Sequence, residues 1–475
     1  MILALIVASS LGYFLLENPS NDCDVLHGKM VLTSQLTPRI NGAITTFQLP
    51  SPDRIPNGVI VAPDNSVWFG EQGVPGIGHF YPNGTLVEYA WPFNYPGKVS
   101  GSQTCTEKTA IWTLALWDGR VWAGDERGNQ LVGLDPATGS VKAVKLNGTD
   151  VFPYGLTVGP ENDLWFSELF SSKIGRVDSN GNLTEYSLPN GNRSTPAEIA
   201  FANSTVGYYV DAGVPGLQPG GVYQFNPQKF VPTQVGAGMR LYSPSSVSLG
   251  SGGVWVTQHG AASIAFYDLG TKGWTIYPTS TVGYADTTLP YFVRVNGSKV
   301  WFNEHYGDRI AVIDFAAQSL TEYSIQTRRP TDLSQITNTL TLGLGRDKVW
   351  FAEFTGNTIG FVDASYKPNL TVGLSNSQNL RLLKGQTMNF TLTLSDSVQS
   401  RLMVQVSDSE SFTSVPKMIG ISPNLGNVSL TRSSEQFLLT IRIDSSVLPG
   451  DYTVVLTATD GLVYRSAFLK VEVLP

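Results

Sequence analysis

The 475-residue sequence is poor in charge: 15% of its residues are charged, with 31 basic and 38 acidic side chains and a formal net charge of −7. That balance gives no electrostatic basis for a nucleic-acid partner. Cysteine occurs twice, as Cys23 and Cys105, and neither has the CxxC spacing of a zinc site. No P-loop, dinucleotide-binding fingerprint or serine-nucleophile elbow is present. Long apolar runs are scarce too. Residues 1–16 (MILALIVASSLGYFLL) are apolar but fall short of the roughly 20 needed to cross a bilayer, and no Lys or Arg precedes them. This segment is expected to be an uncleaved membrane anchor or a cleaved signal, with a buried strand as the remote alternative, and either of the first two would take the protein out of the cytoplasm.

Turn and strand residues are abundant: 48 Gly, 28 Pro, 19 Tyr and 10 Trp. Residues 164–189 (LWFSELFSSKIGRVDSNGNLTEYSLP) contain three runs of strand-like alternation broken by Asn/Gly/Ser turns. With the run around Tyr154–Val158 they make four antiparallel strands, one propeller blade. The phrase recurs. Its first aromatics are Trp68, Trp122, Trp165, Tyr208, Trp255, Trp301 and Trp350, at spacings of 54, 43, 43, 47, 46 and 49 residues. Recurrence at that period predicts seven blades.

The closing-strand pattern at residues 43–50 has no blade before it, and the last repeat ends at Asp363 without one. The two defects are complementary, so residues 44–49 are expected to pair with 359–362 and shut the ring. The fold class expected is all-β: residues 43–364 a seven-bladed β-propeller, preceded by a polar, irregular tether at 17–42. Beyond 365 Trp disappears and alternating Ser/Thr/Leu/Val runs lead to PGDYTVVLTATDG at 449–461, expected to be an immunoglobulin-like β-sandwich over 365–475. Cys23 and Cys105 are expected to form a disulfide clipping the tether to the first blade's insertion. Nine Asn-x-Ser/Thr sequons, at Asn83, Asn147, Asn182, Asn192, Asn203, Asn296, Asn369, Asn389 and Asn427, suggest an exported glycoprotein.

The phrase VWFxE…IGxxD…xEY, over residues 44–363, resembles the streptogramin B lyases of the virginiamycin B lyase type. The resemblance implies a seven-bladed propeller that opens a cyclic peptide antibiotic by magnesium-dependent elimination at its ester link. That family's catalytic histidines directly follow a proline at the start of an inner strand. The matching positions are Asn57, Tyr154, Ala197, Ser245 and Tyr291, none of them histidine. Elimination needs a base poised near neutral pH. Streptogramin B is therefore not expected to be cleaved at that family's rate unless other histidines supply the base.

His259 and His305 follow Gln258 and Glu304 at equivalent places in adjacent repeats, so Glu304, His305 and His259 are weak candidates for a base or metal site. The alternative is that each packs in its own turn. His79 occupies the repeat position of Arg176 and reads as structural, and His27 falls in the tether. The last position of each WFxE phrase is Glu71, Asp125, Glu168, Asp211, Gln258, Glu304 or Glu353, a face that could hold a divalent cation (Mg or Ca) or a cationic ligand. Alternatively these side chains bond turn amides or a neighbouring Arg. The function expected first is an extracellular, membrane-tethered or secreted glycoprotein, using a propeller face to bind a small-molecule, glycan or protein ligand. The alternatives are a lyase or lactonase-like hydrolase, and a component of a surface layer or filament.

Overall fold

The computed structural model describes residues 31–50, 54–73, 76–91, 93, 95–96, 106–107, 111–214, 218–236, 238–280, 288–325, 339–375, 380–408 and 419–475. Cys23, Cys105, His27 and the apolar segment 1–16 lie outside them. Among the described residues the one helical element is a 3-10 turn at Gly191–Arg193, and no helix is long and apolar enough to cross a membrane. The chain divides into two compact units, one of residues 1–40, 45–247 and 337–361, the other of 41–44, 248–336 and 362–475.

Each repeat becomes a four-strand antiparallel meander, its strands here called first to fourth in the order they pair. In the first unit the first sheet is built from Pro56–Val61, Val67–Glu71, Gly76–Phe80 and Thr85–Ala90. The second runs from Leu114–Trp117 to Val141–Lys145, the third from Pro153–Val158 to Leu183–Ser187, the fourth from Pro196–Asn203 to Thr233–Gln234. The seventh contains Thr339–Leu344, Lys348–Glu353 and Thr358–Asp363, and Ile44–Gln48 is its fourth strand, beside Thr358–Asp363. The Leu49 amide donates to the Asn357 carbonyl (3.1 Å) and the Asp363 amide to Ala43 (2.9 Å), so the complementary-strand expectation is met.

The tether expectation needs correcting. Val31–Gln35 pairs antiparallel with Thr85–Ala90, from Val31↔Tyr89 to Gln35↔Thr85, and Pro38–Asn41 lies beside Ile44–Gln48. These polar segments are ordered by the unpaired ladder groups of two sheet edges, not by any apolar alternation of their own.

In the second unit the fifth sheet contains Gly253–Gln258, Ser263–Asp268 and Trp274–Pro278; the sixth contains Pro290–Asn296, Lys299–Glu304, Arg309–Asp314 and Ser319–Ser324. The sixth does not end there. Ser319–Ser324 pairs with Val463–Leu474, from Ser319↔Ala467 to Tyr323↔Val463, and the sheet continues through Gly450–Thr459, Arg401–Asp408 and Gly426–Ser429. A second C-terminal sheet, in the order Leu370–Leu374, Thr387–Asp396, Ser434–Ile443 and Ile419–Ser422, shares one buried core with it: Phe390, Leu392, Leu439 and Ile441 pack with Leu456, Leu469 and Val471.

The repeat phrase explains itself in packing. The aromatic of the second strand lies across from the glycine of the third: Phe69↔Gly78, Trp122↔Gly133 and Phe166↔Gly175. A Cβ at Gly175 would sit 2.0 Å from Phe166 Cζ, and one at Gly78 2.2 Å from Phe69 Cζ. The glycine of IGxxD is therefore required by close approach of a ring, since any side chain there would displace it.

Candidate functional site

The first strands start irregularly. Their register with the second strand shifts between Asn57 and Ile60, Pro153 and Leu156, Pro196 and Ile199, Pro290 and Val293, and Thr339 and Leu342. A bulge re-aims side chains and frees ladder groups, a common device beside functional sites. Here the freed amides have side-chain partners. Gly155 N donates to Ser167 Oγ (2.9 Å), Phe292 N to Asn303 Oδ1 (2.7 Å), Leu156 N to Thr113 Oγ1 (2.8 Å) and Val59 N to Thr341 Oγ1 (3.0 Å). Four of the positions where the resemblance places histidine, Asn57, Tyr154, Ala197 and Tyr291, sit at such a bulge. Asn57, Tyr154, Ala197 and Ser245 are buried; Tyr291 is half-buried.

The acidic ends of the second strands do not gather into a cation site: among the described residues no group of three or more His, Cys, Asp or Glu is placed to hold a metal ion. All seven side chains are buried, and the partners of six of them come from the same sheet or from the residues just before it. Arg54 reaches both Glu71 (3.9 Å) and Glu88 (3.0 Å), and Arg309 both Glu304 (3.7 Å) and Glu322 (3.5 Å). In the third sheet Lys173 pairs with Glu185 (3.0 Å), while Glu168 accepts a short hydrogen bond from Ser171 Oγ. Gln130 Nε2 donates to Asp125 (2.7 Å), Gln258 Nε2 to Ser263 Oγ (2.9 Å), and the Thr195 and Gly213 amides to Asp211 (2.8 and 2.9 Å). Glu353 closes its strand, buried.

The sequence reading missed Glu88, Glu185 and Glu322. Each is the Glu of the xEY element, so the two acids of the motif meet across a basic residue. Burial, followed by the charge of the second carboxylate, pushes Glu71 and Glu304 well above the ordinary carboxyl range, against the pull of Arg54 and Arg309. Burial likewise raises Glu168 to about 7 and raises Asp211.

His259 and His305 do come together. His259 Nε2 and His305 Nδ1 are 3.2 Å apart, the ring planes differ by 4° and the ring centres are 5.5 Å apart. The centres are thus 2.3 Å further apart than the nitrogens, which is two imidazole radii. The rings therefore lie end to end in one plane and share one hydrogen along the line between them. Lone pairs aimed at each other do not converge on a metal ion. His259 is buried and His305 half-buried; burial first, then the charge of His305, holds His259 well below the usual imidazole range. The Tyr291 ring stands edge-on to both, 4.7 Å from His259 and 5.9 Å from His305. Glu304, expected to join this cluster, is turned to Arg309 instead, because a buried carboxylate needs a cation more than a neutral imidazole.

His79 stacks on Trp68, with ring centres 3.6 Å apart, and bonds Ser66 Oγ (2.8 Å); Arg176 lies over Trp165 in the same repeat position (5.7 Å). Its role is packing.

The sequence profile of the Virginiamycin B lyase family matches residues 101–206. A virginiamycin B lyase of Nocardia farcinica (strain IFM 10152) is 28% identical over 166 residues, 35% of this chain and 52% of that protein. The chain is similar to virginiamycin B lyases. The match spans about half of that curated relative's length. The virginiamycin B lyase of Staphylococcus aureus superposes with a TM-score of 0.56 at 20% identity, covering 68% of this chain and 99% of that one. A streptogramin B lyase structure gives 0.54 at 22% identity, covering 67% and 96%. A catalytically inactive variant of the S. aureus lyase, solved with quinupristin, gives 0.56 at 19% identity, covering 68% and 99%. At these identities the structural likeness shows a β-propeller fold.

Proposed function

We propose that this chain is a lyase of the virginiamycin B lyase kind, opening the ester of a cyclic depsipeptide by elimination. Similarity to these lyases favours this reading over the binding protein expected first from sequence. The observation that carries it is the His259–His305 pair beside Tyr291, the residue after Pro290. With the Nδ1 hydrogen of His305 donated to His259 Nε2, the basic lone pair of His305 is on Nε2. That nitrogen takes the proton from the carbon α to the substrate carbonyl. The electron pair forms the double bond, the adjacent C–O bond breaks, and the ester oxygen leaves on the carboxylate. His259 orients His305, and being held neutral it accepts the Nδ1 hydrogen throughout the physiological range.

The resemblance implies magnesium, but the described acids do not fit it. Glu71 and Glu304 face buried arginines, and no three donors gather among the described residues.

The same reading counts the seven meander sheets as seven blades, takes the two-sheet C-terminal core as the immunoglobulin-like sandwich, and keeps the disulfide and an extracellular location, with the segment at residues 1–16 as anchor or signal. Support comes from the strand order, the shared core and the sequons. The test is incubation of the purified chain with quinupristin, followed by detection of the linearised product. His305→Ala is expected to lower turnover by about 10²–10⁴-fold. Absence of turnover in the parent chain would overturn the lyase reading and leave a ligand-binding surface without chemistry, consistent with the missing histidines at Asn57, Tyr154, Ala197, Ser245 and Tyr291.

A further inference from the structure

All nine sequon asparagines are exposed, whereas of the eleven other described asparagines four are exposed (Asn65, Asn162, Asn180 and Asn424), five are half-buried and Asn57 and Asn303 are buried. Exposure thus follows the sequon and not the residue type. Position within the sheets adds a second regularity. Asn83 and Asn182 lie in turns between third and fourth strands, and Asn203 and Asn296 end first strands at the turn into the second. In an antiparallel meander both kinds of turn fall at the same end of the sheet, the end away from the close of the second strand. His305 directly follows the second strand of the sixth sheet, so Asn296 and His305 are at opposite ends of one sheet. The connections after the second and third sheets carry Asn147 and Asn192 at the other end. The fifth and sixth sheets, which hold His259 and His305, have no sequon at that end.

We propose that these asparagines are N-glycan acceptors, and that in the sixth sheet the Asn296 glycan sits at the hairpin end and leaves the end that carries His305 clear. In the modification the carboxamide Nδ2 attacks the anomeric carbon of a phosphate-linked oligosaccharide. The N–C bond forms, the C–O bond to phosphate breaks, the phosphate leaves with that electron pair, and the proton lost from Nδ2 passes to solvent. The sugar phosphate and its transferase come from the producing cell. Side-chain geometry grades the sites. At Asn83 and Asn203 the Oδ1 accepts from the amides of Thr85 (3.0 Å) and Thr205 (2.8 Å), the hydroxyl residues of their own sequons. At Asn147 and Asn182 the Nδ2 donates to Glu185 Oε2 (3.2 Å) and Asp178 Oδ2 (2.8 Å), bonds that modification would disturb. Acceptor status does not depend on the lyase reaction; only the value of a clear end rests on that reading.

The test is a peptide map by mass spectrometry of the full chain isolated from the cells that make it. Saccharide mass increments are expected on the peptides carrying Asn83, Asn203 and Asn296, with higher occupancy than at Asn147 and Asn182. Asn296→Gln, expressed in the same cells, is expected to lose one glycan and keep its turnover of quinupristin. Unmodified masses for all nine sequon peptides would overturn the proposal. An unmodified Asn296 peptide beside modified Asn83 and Asn203 peptides would overturn the part that concerns the sixth sheet. Neither result bears on turnover, so failure here is distinct from failure of the lyase reading.

Discussion

The Arg309 cluster makes a pH-dependent contribution to stability that can be worked from its geometry. Glu304, Glu322 and Arg309 have side chains at most 1% exposed, with two carboxyls on one guanidinium. Ionising both would bury a net negative charge, so the cluster keeps a proton, and burial with the Glu322 charge places it on Glu304. The folded state then binds a proton that the unfolded state releases above the ordinary carboxyl value of 4.5. A group raised in this way contributes stability that is whole below that value and declines as pH rises toward the folded pKa. The decline is about 1.4 kcal/mol per pH unit for one proton. Gln is a permanent mimic of the protonated acid. Urea unfolding of Glu304→Gln, followed by tryptophan fluorescence from pH 5 to pH 8, is expected to gain on the parent chain as pH rises, by up to about 1.4 kcal/mol per unit until the raised pKa of Glu304 is reached. Curves that stay parallel would refute the shared proton. Arg309→Met in the same assay is expected to cost about 3–5 kcal/mol, because it leaves buried acids without their cation.

Other consequences follow from single contacts. The Arg309 guanidinium also lies 3.6 Å from the ring centre of Tyr464, so Tyr464→Leu is expected to cost about 2 kcal/mol in urea midpoint stability. Burial holds His79 down at about 4, so stability should be whole above about pH 6.5 and fall as pH drops toward 4; His79→Phe, stacked on Trp68, is expected to flatten that arm of the pH profile. Gly175→Ala pushes a methyl into Phe166, with an expected loss of about 1–3 kcal/mol by thermal or urea unfolding, whereas Gly119→Ala meets nothing within 4 Å and isolates the cost of its positive φ.

The repeat was legible because each copy is local: aromatic, glycine and turn lie within one meander, so spacing alone places them. The strand Ile44–Gln48 was legible as well, since its defect is complementary to that of the last repeat. What escaped the sequence are pairings with no local signature. Ser319–Ser324 and Val463–Leu474 alternate like ordinary strands, and nothing in either marks the other as its partner. Val31–Gln35 reads as a polar linker because an edge ladder asks for backbone groups and tolerates polar side chains. The WFxE acids were legible as a recurring position, but their bonding was not. It depends on the xEY acids 17 or 18 residues further on and, in the first sheet, on Arg54 from before the repeat.

On the proposed lyase reading, the histidines keep the site's place while its residues change strand. Pro290 pairs with Glu304 across the first and second strands of the sixth sheet, and the His305 amide donates to the Leu289 carbonyl (3.0 Å). Tyr291 and His305 therefore flank the same register point from opposite strands, and both stand within 6 Å of each other by ring centres. A base carried after the proline on the first strand and a base carried after the acid on the second reach the same end of one sheet. The second position also gains a partner, because the preceding repeat presents His259 from its own second strand at the distance needed to share a hydrogen. Replacing Tyr291 by His while His305 becomes Ala tests this equivalence. If the end of the sheet and not the particular strand sets the chemistry, Tyr291→His should restore part of the turnover that His305→Ala removes. If the double variant stays as inactive as His305→Ala alone, the His259 contact is indispensable and the two positions are not interchangeable.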